Sequence, residues 1–179
     1  MKHDTPNFPH VLLTGAEMIT AGTVGIRRRV QNIINGRGPT HGSKHSADAG
    51  ALDNDIVGCM AEFAVAKYFN LYWSGTIGEL EAPDVGGLIE VRMVRERIHR
   101  LRLHPEDKQQ FPYVLALAEL PRIWLLGYCW WKDGAIAANW SDPSGCDRPA
   151  FFVPNPLSHV DELKVWIRGA RTPSTERTA

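Results

Sequence analysis

Asp84, Glu90 and Arg92 are the residues of this chain whose types and spacing could do chemistry together. They lie in the stretch Pro83-Asp84-Val85-Gly86-Gly87-Leu88-Ile89-Glu90-Val91-Arg92. Gly86-Gly87 predicts a tight turn between two strands, with Asp84 just before it and Glu90 and Arg92 just after. Residues two apart in a strand share a face. Glu90 and Arg92 are therefore expected on one face, with Ile89, Val91 and Met93 on the apolar other. Two carboxylates beside a cation can hold a hard divalent metal through oxygen ligands. Such a metal activates water and stabilises charge on a phosphate, which is the chemistry of phosphodiester cleavage.

A third acid, Glu62, sits in a segment that reads as a buried helix from about Asp55 to Phe69, with Asp53 or Asn54 as candidate caps. A buried carboxylate needs a partner, because an unpaired buried charge is costly. A metal shared with Asp84 and Glu90 would supply one, and so would a nearby arginine.

These residues resemble the PD-(D/E)XK nuclease superfamily, whose signature is Pro-Asp, a spacer, then Asp/Glu-x-Lys. Pro83-Asp84 and Glu90-Val91-Arg92 stand in those places. More closely, Gly58 to Glu62, Tyr72-Trp73, Pro83 to Gly87, Glu90 to Arg92 and Pro105 to Lys108 resemble small phage-encoded nuclease-like proteins, over about residues 55–130. The resemblance implies a restriction-endonuclease-like mixed β-sheet flanked by helices. It implies Mg²⁺ or Mn²⁺ held by Asp84, Glu90 and the Val91 carbonyl, with Glu62 completing the site directly or through water. It also implies hydrolysis of DNA, with RNA as a second substrate class, by a phage protein in the host cytoplasm. The signature lysine is replaced by Arg92, which cannot serve as a base because its guanidinium stays charged. Arg92 could hold the scissile phosphate. Otherwise Lys108 fills the gap, or the fold has lost activity and only binds nucleic acid or serves as a structural or interaction protein.

Basic residues flank the acids. Arg92, Arg95, Arg97, Arg100, Arg102 and Lys108 outnumber Glu96, Glu106 and Asp107, and Arg95 and Arg97 are expected on one face of an extended strand. Arg27, Arg28 and Arg29 form a second cluster. Arg27, Arg28, Arg29, Arg95, Arg97 and Lys108 are the candidate contacts to a nucleic-acid backbone. The alternative for each cluster is a solvated charged face. His41 and His45 have a metal-ligand spacing only if helical, and Gly42-Ser43 argues against a helix. Gly22-x-x-Gly25 lacks the Lys-Ser/Thr of a phosphate loop. Gln109-x-x-x-Tyr113 is interrupted by Pro112 and is read as chance. Trp124, Trp130, Trp131 and Trp140 are expected in the core or an interface.

The elements that must position these side chains follow from periodicity and punctuation. Residues 1–13 read as an extended lead-in. Ala16 to Asn35 reads as a helix, with Thr14 and Glu17 as a capping box, an apolar stripe at Ile26, Val30, Ile33 and Ile34, and a stop at Gly36. Residues 36–54 read as a long flexible loop. Strand-like runs follow at Leu88–Val94, Leu101–His104, Tyr113–Ala118 and Trp124–Trp131, then a short helix near Asp161–Ile167 and a disordered tail over 171–179. This order predicts one α+β or mixed α/β domain over 1–179, with helices on one twisted sheet.

The 179 residues are 44% apolar and 22% charged, enough for a real core. The net charge of zero argues against binding polyanions by bulk charge. Cys59, Cys129 and Cys146 form no Cys-x-x-Cys pair, which argues against a disulfide framework or zinc site. No run approaches the length of a membrane span, so a cytoplasmic protein is expected, with a homodimer as one assembly.

Overall fold

A computed structural model describes residues 8–36, 48–77, 82–143, 145 and 149–171. The fold is α+β. Strand β1 (His10–Leu12) leads into helices α1 (Gly15–Ile34) and α2 (Asp48–Phe69). Strands β2 (Glu90–Val94), β3 (Leu101–Leu103), β4 (Pro112–Glu119) and β5 (Arg122–Trp130) follow. A short helix α3 (Trp131–Gly134), strands β6 (Trp140–Ser141) and β7 (Ala150–Val153), and helix α4 (Glu162–Arg171) complete the chain.

Two sheets form, where one was expected. The larger has the order β1-β5-β4-β2, and β3-β7-β6 make the smaller. β4 explains the second sheet, because it is apolar on both faces. Val114 and Ala116 join the core beneath the helices, whereas Tyr113 and Leu115 pack with Leu101, Leu103 and Val153 of the small sheet. A strand with two buried faces needs a layer on each side. α2 is buried for the same reason, lying between α1 and the large sheet.

α1 begins with the expected capping box: Glu17 N–H donates to Thr14 Oγ1 and Thr14 N–H to Glu17 Oε2. Its buried face is not the expected one. Ala21, Gly22, Gly25 and Arg29 are buried against α2, while Ile26, Val30, Ile33 and Ile34 are exposed. Small residues select that face by letting the helix backbones approach closely. A Cβ on Gly25 would lie 2.5 Å from Ile56 Cα. Gly22-x-x-Gly25 is thus a packing device.

α2 starts at Asp48, seven residues before the expected Asp55. Asp53 and Asn54 therefore lie inside the helix instead of capping it, and 48–54 is helix instead of loop. Residues 37–47 of the expected loop, His41 and His45 among them, lie outside the described residues, as do 172–179 of the expected tail and Cys146. Arg171 ends α4. Arg95 and Arg97 are not on a strand, because β2 ends at Val94 and β3 starts at Leu101. Trp124, Trp130 and Trp131 are partly buried, whereas Trp140 is exposed, with its ring on Phe151.

Candidate functional site

The Pro83–Arg92 stretch turns as the glycines require, but its first arm is a single bridging residue. Val85 pairs antiparallel with Ile89, and Gly86 and Gly87 have φ of 60° and 68°. Only glycine adopts such angles without steric cost. The second arm becomes β2, which pairs in parallel with β4. Glu90 stands opposite Tyr113 and Arg92 opposite Leu115, so both acid and arginine face the small sheet. Ile89 and Val91 join the core under the helices. The expected division of faces holds.

β2 is an edge strand of the large sheet. Asp84 folds back onto that edge, where its Oδ2 accepts from Val91 N–H at 2.8 Å. The N–H and C=O of one strand residue point to the same side. The Val91 carbonyl therefore points to the edge that carries Asp84, away from β4. Asp84 and Glu90 are close enough to hydrogen-bond when one is protonated.

Burial, then the Asp84 charge, pushes the Glu90 carboxyl up to about 7, against the opposing hydrogen bond from Lys108. Lys108 Nζ lies 2.7 Å from Glu90 Oε1 and also donates to the Ala82 carbonyl. The His104–Asp107 turn brings Lys108 there: Asp107 Oδ2 accepts from His104 N–H at 2.8 Å. The other oxygen, Oδ1, accepts from Arg92 Nη2 at 2.7 Å. Arg92 also stacks on Tyr113, and its buried Nε has no partner among the described residues. The expected phosphate-holding role for Arg92 thus meets a side chain already committed to Asp107. Lys108 occupies the place beside the acid.

Glu62 is the buried acid satisfied by an arginine. Arg28 clasps it in a bidentate pair, Nη1 to Oε1 at 2.6 Å and Nη2 to Oε2 at 2.9 Å. Trp73 Nε1 donates to Oε2 at 3.0 Å, and Arg28 Nε donates to the Thr76 carbonyl. Burial, with Asp84 adding to it, raises the Glu62 carboxyl to about 7. Arg28 itself is held more firmly charged by Glu62. These two shifts pull against each other. The short bidentate contact is that of an ionised pair. Both Glu62 oxygens are occupied, so Glu62 reaches the Asp84 site through its charge.

The expected nucleic-acid contacts are mostly engaged within the chain. Arg29 pairs with Asp55 at 2.8 Å, and Arg95 pairs with Asp53. Arg97 stacks on Trp124 and Phe8. Arg28 and Lys108 hold Glu62 and Glu90. Arg27 alone of the six faces solvent with none of these engagements. The Arg27–Arg29 cluster is therefore not a basic patch, because successive helix residues point about 100° apart.

Could this arrangement hold a divalent cation? Among the described residues, no group of three or more His, Cys, Asp or Glu side chains is placed to ligate one. Mg²⁺ does not need three, since it commonly takes one or two carboxylates and keeps several waters. Asp84, Glu90 and the edge-facing Val91 carbonyl supply that donor chemistry. The mutual repulsion of the two carboxylates is the electrostatic deficit that a cation would relieve.

Sequence reasoning missed the partners of these charged side chains: Arg28 and Trp73 for Glu62, and Asp107 for Arg92. They lie 34, 11 and 15 residues from the side chains they hold. No local spacing signals such contacts.

No family model matches the chain, and no curated protein or solved structure matches it either. Among the described residues, no helix is long and apolar enough to cross a membrane.

Proposed function

We propose that this protein is a metal-dependent nuclease that hydrolyses phosphodiester bonds, in DNA foremost. The observation that carries the reading is the ammonium of Lys108, 2.7 Å from Glu90, beside Asp84. The sequence signature lacks its lysine at position 92, and the fold returns one to the acids from position 108.

Asp84, Glu90 and the Val91 carbonyl would hold Mg²⁺ or Mn²⁺. When bound, the metal would lower the pKa of a water ligand and neutralise charge on the phosphate. Lys108 would then donate to the attacking water or to a phosphate oxygen, adding a second positive charge where negative charge develops. Arg28 fixes Glu62, whose carboxylate keeps the field around Asp84 negative and favours a cation. Arg92 holds Asp107, and through it the turn that presents Lys108.

The test is cleavage of single- and double-stranded DNA, and of RNA, with Mg²⁺ or Mn²⁺. Wild-type protein should cut, and Glu90→Ala and Lys108→Met should each lose about 100-fold or more, as removal of an electrostatic stabiliser does. Wild type that cuts no nucleic acid with either metal would overturn the reading.

A further inference from the structure

We propose that the outer face of α1 is the interface of a homodimer, the occupant being a second copy of this chain. The inference is independent of the nuclease reading.

α1 spends its small-residue face on α2, which leaves the opposite side of a 20-residue helix uncovered among the described residues. The exposed residues of that side include Ile19 at 72%, Ile26 at 47%, Val30 at 49% and Ile33 at 56% relative exposure. Arg27 is the one charged residue among the exposed positions of α1. A surface helix in a monomer ordinarily presents charged and polar residues there.

The spacing says what kind of surface fits. Ile19, Thr23, Ile26, Val30 and Ile33 follow alternating steps of four and three, the seam by which one helix packs along another. Ile19 and Ile33 are placed symmetrically about Ile26. Two copies crossing antiparallel at Ile26 would set Ile19 of each against Ile33 of the other. That self-complementarity is what a two-fold interface demands, and an unrelated partner would not require it. Fully covered, the apolar stripe amounts to roughly 500 Å² per copy, so a pair would bury about 1,000 Å², the small end of the range for a specific interface.

Sedimentation of the full chain over a wide concentration range tests the proposal. The wild type should sediment with twice the chain mass, and Ile26→Asp with the mass of one chain and an unchanged circular dichroism spectrum. Ile26→Cys should form a disulfide-linked dimer under mild oxidation, and Thr20→Cys, off the seam, should not. A wild type that stays monomeric throughout, with no crosslink through residue 26, would overturn the proposal, and the stripe would then belong to another partner. A dimer that Ile26→Asp leaves intact would overturn it as well.

Discussion

Lys108 Nζ lies 2.7 Å from Glu90 Oε1, whereas Arg92, two residues along the same strand, turns to Asp107. The cation that a short motif would seek beside the acid is thus delivered from another part of the chain. Lys108 and Arg92 should therefore separate in function. Arg92→Lys should leave metal-dependent cleavage within about tenfold, and Lys108→Arg should lower it more, because a planar fork does not replace a compact ammonium. Single-turnover rates at saturating Mg²⁺ compare them. Equal losses in the two variants would count against the assignment.

Burial and the Asp84 charge raise Glu90 from 4.5 to about 7. A group with a raised folded pKa binds its proton more tightly in the folded state. Its stabilising effect is present below the unfolded value and is lost as pH rises through the folded one. Stability should therefore fall between about pH 4.5 and pH 7, by roughly 1–3 kcal/mol, and level off above. Urea denaturation across that range should show the slope, and Glu90→Gln should flatten it. Stability that rises over the same window would refute this sign.

The Arg28–Glu62 pair predicts a second stability effect. Arg28→Met strands a buried carboxylate and should cost about 3 kcal/mol. Arg28→Met combined with Glu62→Gln should cost less than the single change, because the stranded charge is gone. A double-mutant cycle by chemical denaturation measures the coupling.

Gly25→Ala tests the helix contact. Its Cβ would meet Ile56 backbone at 2.5 Å, where no flexible side chain can yield. The change should destabilise the protein by about 2 kcal/mol, despite the higher helix propensity of alanine. Gly58→Ala, whose Cβ would meet nothing, should be neutral or stabilising. In thermal melts Gly25→Ala should lower the midpoint, and Gly58→Ala should leave it unchanged or raise it.

The strands at Glu90–Val94, Leu101–Leu103, Pro112–Glu119 and Arg122–Trp130 were legible, because each is a short apolar run between turn residues. The capping box at Thr14 and Glu17 was legible for a similarly local reason. The stripe Ile26, Val30, Ile33, Ile34 shows the limit. Periodicity reveals that a face is apolar, and only the tertiary fold decides which face meets α2. Gly22 and Gly25 decided it here, by allowing a closer approach than the isoleucines could. In the site, Asp84, Glu90 and Glu62 were visible as acids needing counter-charge. Lys108 could be named as a candidate, but its contact depends on the turn held by Asp107. Arg28 and Arg29 looked like free basic charge, and their ion pairs with Glu62 and Asp55 arise from helix packing.

Asp84 also does something that its place among the acids does not suggest. By accepting the Val91 N–H, it covers a donor on the edge of β2 that β4 does not pair. Unpaired edge donors invite another strand to add, and chains then associate edge to edge. The carboxylate thus caps the border of the sheet at Val91, a buried residue. An Asp84→Ala protein would lose this cover together with its acid, so its solubility on concentration should be read alongside its activity.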